Sequence, residues 1–304
     1  VNFKNPEPGS YIKITNKKEI DSITNEFIDR EAYPFIYTRI EDSNGTMIYQ
    51  HLAKNERLLA NENIDENTWI RIWSMSKIVT ICLALDLMED SIISLDDSVT
   101  KYIPEFSNLK VAITKDSLDI PSQNWYEIDT NRSAPCPIKY VNNDSTMTIL
   151  HLLNHQAGFY YAVTNINCLD SLVYKENLAI SKNSQELINK ISKLPLCQHP
   201  GSYYYYGTNT TVLGLVCERA SNKSLAQLIK ERITVPMNIT GLAYDLPKGA
   251  KMLPRFSGKD SLIRPAKKGE LDIFGQDVPD YKLDHKLYLG GEGMIATTNG
   301  YLDF

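Results

Sequence analysis

At 304 residues and 34.5 kDa, the chain is long enough to bury a large core, as one domain or as two intimate lobes. A hydrophobic fraction of 42% and a charged fraction of 23% are ordinary for a soluble globular protein, and a net charge of −5 argues against nucleic acid or an anionic membrane as the main partner. No apolar run approaches the length needed to span a bilayer, so no transmembrane segment is expected.

The first predicted element is a helix over residues 17–33, with Ile20, Ile23, Phe27 and Ile28 on one face. Two β-rich runs follow, Phe35 to Glu41 and Thr46 to His51, joined by the hairpin signal Asp42-Ser43-Asn44-Gly45. From Ile78 the apolar positions recur at i, i+3, i+4 and i+7 (Ile78, Ile81, Cys82, Leu85), with Met88 extending the stripe. That predicts a helix buried through this face. Residues 92–99 read as a turn into a short helix that ends at Pro104.

Residues 114–145 are polar and hold Pro121, Pro135 and Pro137, the pattern of a long irregular loop. A capped short helix opens at Thr148 and is stopped by Gly158. Helical periodicity returns over 184–194, 209–221 and 224–234, and between the first two lies the run Pro200-Gly201-Ser202-Tyr203-Tyr204-Tyr205-Tyr206. A glycine turn, Gly290-Gly291-Glu292-Gly293, feeds the last element.

Chemistry concentrates where the helix near residue 78 begins. Ser74 stands at its mouth and Lys77 one turn further on, so a hydroxyl lies beside unsatisfied N–H groups at the positive end of the helix dipole. A lysine alongside, partly desolvated, gives up its proton more readily than in water and helps activate such a hydroxyl. Ser-x-x-Lys alone carries little weight: the chain has four, at Ser10/Lys13, Ser74/Lys77, Ser98/Lys101 and Ser107/Lys110. Only the setting at the head of an apolar helix separates the second.

Five cysteines show no metal-ligand spacing. Cys82 and Cys217 lie in apolar helical patterns and read as core thiols, while Cys136, Cys168 and Cys197 lie in loop-like stretches where one disulfide has room to form. His151 and His155 stand at i, i+4 on one predicted helix, a spacing open to a general base or a metal. No His-Glu-x-x-His pattern or third ligand accompanies them, and a buttressing role is favoured.

Taken together, Arg71-Ile-Trp-Ser-Met-Ser-Lys77, Ile93-Ser-Leu-Asp-Asp-Ser-Val-Thr-Lys-Tyr-Ile-Pro104, Thr148-Ile-Leu-His-Leu-Leu-Asn-His-Gln-Ala-Gly158, Pro200-Gly-Ser-Tyr-Tyr-Tyr-Tyr206 with Val212-Leu-Gly214, and Gly290-Gly-Glu-Gly-Met-Ile-Ala-Thr-Thr298 resemble, in order, the serine β-lactamase-like hydrolases. That family includes class C β-lactamases, D-alanyl-D-alanine carboxypeptidases and esterases of β-lactamase fold. The resemblance implies an α/β (α+β) fold of the β-lactamase/penicillin-binding-protein type: an antiparallel sheet flanked by helices, with an inserted, mostly helical lobe. The whole of 1–304 then forms a single domain, its sheet lobe at about 1–95 and 288–304 and its helical lobe at about 96–287.

It further implies Ser74 as the nucleophile of an acyl-enzyme, Lys77 as the neighbouring amine and Tyr206 as the shared base. A phenol is a poor base at neutral pH unless a nearby cation holds its anion, and Lys77 supplies one. The substrate-side residues expected on the same ground are Thr208, Asn209 and Tyr160. No metal or organic cofactor is implied.

Two departures modify the expectation. Many β-lactamases and peptidases carry Asn two residues after the tyrosine, where this chain has Thr208 and places Asn209 one position late. That tilts the reading toward ester substrates. The family's third motif, a Lys- or His-containing strand ending in glycine, is expected beyond the Gly290 segment, and the chain stops at Phe304. A C-terminally truncated chain, weakly active or in need of the missing strands, is the resulting expectation.

The function expected is therefore a serine hydrolase acting through an acyl-enzyme on a small-molecule or peptide ester, amide or lactam, with an esterase favoured. A β-lactamase, a D-Ala-D-Ala carboxypeptidase or a transacylase is the alternative, and a catalytically impaired binding or sensor protein the second. The N-terminus shows neither an initiator Met nor a signal-peptide core and leaves the compartment, cytoplasmic or exported, open. Oligomeric state is likewise open.

Overall fold

The computed structural model describes residues 14–115, 138–164, 166–258, 262–267 and 286–304. Helix α1 (Lys17–Asp29), strands β1 (Phe35–Glu41) and β2 (Met47–Lys54) and the short helix α2 (Glu56–Leu59) come first. Strand β3 (Ile70–Arg71) leads into helix α3 (Ser76–Glu89), followed by strands β4 (Lys110–Thr114) and β5 (Ile138–Asn142). Helices α4 (Ile149–Leu153), α5 (Asn167–Glu176), α6 (Ser184–Ile191), α7 (Asn209–Ser221) and α8 (Leu225–Ile229) come next. The two-residue strands β6 (Leu242–Ala243), β7 (Phe256–Ser257), β8 (Arg264–Pro265) and β9 (Ile295–Ala296), then helix α9 (Thr298–Leu302), complete the order.

Two compact units emerge. The first joins the described residues up to Thr68 with Leu253–Ala266. Its centre is the antiparallel β1–β2 hairpin, in register from Phe35↔Lys54 to Ile40↔Tyr49. The turn closes as its sequence requires: Asp42 Oδ1 accepts from the N–H of Asn44 at 2.8 Å and of Thr46 at 2.9 Å, and Gly45 takes φ 76°, a conformation costly for other residues. Helix α1 is tied to the hairpin by Tyr49, whose hydroxyl donates to Asp21 at 2.5 Å.

The second unit, Trp69–Met252 with the residues from Lys267 on, holds most of the core. Helices α3 and α7 pack together at its middle. From Asn209 to Cys217 every residue of α7 is buried, consistent with a helix apolar or small on all sides. A three-stranded antiparallel sheet, in the order β3-β9-β6, lies in this unit and brings the start of α3 beside the glycine-rich segment near residue 290.

Several expectations are corrected. The buried face of α3 is Ser76, Lys77, Val79, Thr80, Leu83, Ala84 and Leu87, while Ile78 and Leu85 are 53% and 47% exposed and Cys82 is exposed too. The helix is apolar almost all round, so periodicity could not choose its inner side. Val99–Lys101 and Pro104–Phe106 are separate 3-10 turns, and Pro104 opens the second one, a first-turn position where its missing N–H costs nothing. Residues 138–142, expected as loop, are strand β5 paired antiparallel with β4; residues 116–137 of the same expected loop lie outside the described residues. Cys82, Cys197 and Cys217 form no disulfide, and Cys168 is disulfide-bonded. Among the described residues no helix is long and apolar enough to cross a membrane.

Candidate active site

Ser74 lies in a single 3-10 turn, Trp73–Met75, wedged between β3 and α3. Trp73 turns the corner at φ 46°, a left-handed conformation that costs a bulky side chain on the order of 1–3 kcal/mol. The corner leaves Ser74 exposed while Ser76 and Lys77, the first two residues of α3, point inward. One helical turn separates residues 74 and 77, and Lys77 Nζ reaches Ser74 Oγ at 3.0 Å.

Lys77 is only 6% exposed, yet its ammonium is fully served. Besides Ser74 it donates to the hydroxyl of Tyr161 at 3.2 Å and to the carbonyl of Gly291 at 2.7 Å, matching three donors with three acceptors. From 132 residues along the chain, the Tyr206 hydroxyl reaches Ser74 Oγ at 2.8 Å. Its ring also lies 4.9 Å from Lys77 Nζ, within cation–π range.

Tyr206 is placed by backbone pairing between two loops. The N–H groups of Cys197, Gly201 and Tyr205 donate to the carbonyls of Gly158, Gln156 and His155 at 2.8, 2.8 and 2.7 Å. The approach is tightest at Gly207, where a Cβ would lie 2.1 Å from the carbonyl oxygen of Phe159. The imidazole of His155 stacks on the Tyr206 ring at 5.0 Å and 16°. Burial, and secondarily the Lys77 charge, push His155 down to about 4, so the ring is neutral at pH 7. Burial holds the Tyr161 hydroxyl well above its ordinary range, and Tyr161 is a phenol, not a phenolate.

The glycine-rich segment closes the rear of the site. Thr80 Oγ1 donates to Gly290 O at 2.8 Å, Met294 N to Ser76 Oγ at 3.1 Å and Ile72 N to Met294 O at 3.2 Å, so α3 is stitched to 290–294 along its first turns. A Cβ on Gly291 would meet Thr211 Oγ1 at 2.6 Å, and one on Gly290 would meet Thr210 O at 2.8 Å. Only glycine lets this strip pass between α3 and α7. Glu292, fully buried, takes a hydrogen bond from Thr211 Oγ1 at 3.0 Å; burial raises its carboxyl, while the Lys77 charge and hydrogen bonds from Thr211 and Tyr161 pull the other way.

The structure thus brings Lys77 Nζ and the Tyr206 hydroxyl each within hydrogen-bond distance of Ser74 Oγ. It places the three expected substrate-side residues in the interior. Thr208 is 3% exposed at the head of α7; Asn209 spends its amide on His155 Nδ1, Phe159 O and Tyr205 O; the Tyr160 hydroxyl faces Leu169 O. His151 caps its own helix, its Nδ1 accepting from Thr148 N at 3.2 Å. Among the described residues no group of three or more His, Cys, Asp or Glu side chains is arranged to hold a metal ion. Tyr161, the Gly291 carbonyl and Glu292 were not singled out as chemical groups from the sequence; a carboxylate inside an otherwise glycine and apolar run was the one available signal.

Against known proteins, the family model described as Beta-lactamase matches residues 44–304. The chain is 24% identical over 292 residues to "Acyltransferase mokF" of Monascus pilosus, covering 94% of this chain and 64% of that protein. It is 26% identical over 238 residues to "Monacolin J acid methylbutanoyltransferase" of Aspergillus terreus, covering 78% of this chain and 51% of that protein. Among solved structures, "EstCE1, a hydrolase with promiscuous acyltransferase activity" superposes with a TM-score of 0.68 at 18% identity, over 94% of this chain and 70% of that one. The chain therefore spans about half to two thirds of the length of these curated relatives, and it shares with EstCE1 a mixed α/β fold of helices and antiparallel sheets, of the β-lactamase and penicillin-binding-protein type.

Proposed function

We propose that this chain, which belongs to the beta-lactamase family, carries an acyl-serine site that cleaves or transfers the acyl group of an ester, with Ser74 as nucleophile and Lys77 and Tyr206 as its proton carriers. One observation carries the reading. An exposed hydroxyl, Ser74 Oγ, has a buried amine at 3.0 Å and a phenol at 2.8 Å. A serine hydroxyl is a weak nucleophile by itself and needs an adjacent base.

In the first half-reaction, Ser74 Oγ attacks the substrate carbonyl carbon while its proton passes to the Lys77–Tyr206 pair. The tetrahedral intermediate collapses, the bond to the leaving oxygen breaks, and Tyr206, the more exposed carrier, returns a proton to that oxygen. An acyl-enzyme on Ser74 remains. In the second half, water or an acceptor alcohol gives its proton to the same pair and attacks the acyl carbon, and Ser74 leaves with its proton restored.

Ester substrates are favoured over β-lactams or peptides. Thr208 stands where many amide-cleaving relatives carry Asn, and it is buried, so no side-chain amide from that position reaches the cleft. Transfer to an acceptor other than water is supported as a second outcome of the same intermediate by the names of the acyltransferase relatives and of EstCE1.

Incubation with a short-chain p-nitrophenyl ester and with a fluorescent penicillin, followed by mass spectrometry, tests the proposal. The expected result is ester turnover with an acyl adduct on Ser74 that vanishes in Ser74→Ala. Adduct without turnover would support a sensor, and no adduct with either probe would sink the acyl-serine reading.

A further inference from the structure

A pocket of about 500 Å³, part of it open to solvent, lies in the unit that holds Ser74 but is lined by none of the residues around that serine. Strands β4 and β5 form one wall. Partners across an antiparallel pair share a face, as do alternate residues along a strand, so the register Lys110↔Asn142 and Ala112↔Tyr140 sets Lys110 and Tyr140 side by side. Leu172 of α5 lines the pocket too, and the chain leaving α6 closes it. Leu196 N donates to Lys110 O and Ala112 N to Leu196 O, both at 2.7 Å, which draws residues 192–195 against β4.

The lining divides by chemistry. Leu172, Leu194, Pro195 and the ring of Tyr140 are apolar, and Pro195 has no N–H to offer. Two cations share the lining with them. Lys193 is paired with Glu176 at 3.0 Å. Lys110 Nζ donates to the neutral acceptor Asn142 Oδ1 at 2.6 Å, and among the described residues no carboxylate pairs with it. An ammonium has three hydrogens, so two remain for a ligand. Apolar walls with a few placed polar groups fit a small organic molecule better than a bare inorganic ion, because they also gain from burying its hydrocarbon.

We propose that this pocket is a binding site for a small amphiphilic monocarboxylate, its carboxylate on Lys110 and its hydrocarbon part against Tyr140, Leu172, Leu194 and Pro195. Lys193 adds little while Glu176 holds it, and the Glu176 carboxylate itself repels a second one. The inference stands apart from the acyl-serine reading: it uses no residue of that site and concerns binding, not turnover.

The test is a fluorine NMR titration of p-fluorophenylacetate, with the neutral p-fluorophenylacetamide as control, against the wild type, Lys110→Gln, Tyr140→Ala and Glu176→Gln. Lys110 and Tyr140 are both exposed, so neither substitution empties the core. The expected result is saturable binding of the carboxylate to the wild type, weakened about tenfold or more in Lys110→Gln, where the charged hydrogen bond is lost. Binding should also weaken in Tyr140→Ala and tighten in Glu176→Gln, which removes the repelling charge and releases Lys193. Absence of saturable binding to the wild type overturns the inference. Binding unchanged in Lys110→Gln puts the carboxylate elsewhere, the site at Ser74 included, and overturns it too. Equal affinity for the amide would show that the pocket does not select charge. Displacement of the probe by an equal concentration of inorganic phosphate would make it a general anion site. Either result overturns the assignment to an amphiphilic carboxylate, and all of these outcomes leave Ser74 as nucleophile untouched.

Discussion

The imidazole of His155 lies flat on the phenol ring of Tyr206, centroids 5.0 Å apart and planes within 16°. Stacking against a ring beside Lys77 suits a neutral imidazole, and His155 is held down to about 4 from an ordinary 6.5. Between those two values the unfolded chain binds more protons than the folded one, so stability rises with pH. The contribution is complete above pH 6.5 and is lost as pH falls toward 4, with a magnitude on the order of 3 kcal/mol. Thermal melts of His155→Phe between pH 4 and 7 are expected to fall less steeply than those of the wild type. Equal slopes would show that His155 titrates normally.

Tyr206→Phe isolates the hydroxyl, because it keeps the stack on His155 and the ring beside Lys77. Loss of a positioned proton carrier typically costs about 10²–10⁴-fold in rate. Such a fall in kcat, with KM little changed and the melting temperature preserved, is the expected outcome. Lys77→Met, of similar length but without charge, should reduce acylation at least as far.

Gly207→Ala is expected to destabilise the fold by about 1–3 kcal/mol or more, since the new methyl would sit 2.1 Å from Phe159 O and 2.5 Å from Tyr160 Cα. Both are backbone atoms, which cannot swing aside as a side chain would. Urea denaturation measures the loss, and the displaced Tyr206 should cost activity in any population that still folds.

The two faces of α3 offer a contrast in one helix. Leu83→Ala removes a side chain with no exposed surface and should cost about 2–5 kcal/mol. Ile78→Ala, at 53% exposure, should change stability by no more than about 0.5 kcal/mol. Denaturant midpoints of the two variants decide which face is inside.

That contrast also marks where the sequence stopped being legible. Local signals were read well: Asp42-Ser43-Asn44-Gly45 closes the hairpin, and the 209–221 periodicity is α7. The convergence of Ser74, Lys77 and Tyr206 was reachable only because ordered motifs across the chain carry the resemblance. The inner face of α3 was not readable, because a helix apolar on both sides has no preferred stripe and its buried side includes Ser76, Lys77 and Thr80. Asn209 was expected on the substrate side, and at the head of α7 its amide nitrogen lies against His155 Nδ1, Phe159 O and Tyr205 O, contacts that no local pattern signals. Tyr161 and the Gly291 carbonyl join Lys77 from 84 and 214 residues away, distances at which no local pattern speaks.

The three contacts of Lys77 have a further consequence. A charged amine has three hydrogens for them; a neutral amine has two hydrogens and one lone pair. Ser74 is a hydroxyl and can face either form, receiving a hydrogen from the first or offering one to the second at the same 3.0 Å. Gly291 O and the Tyr161 oxygen continue to receive in both. The hydrogen-bond pattern therefore admits either form of the amine with every heavy atom where it is, and under the proposed chemistry the serine proton would cross in a setting whose dipoles are already aligned for it.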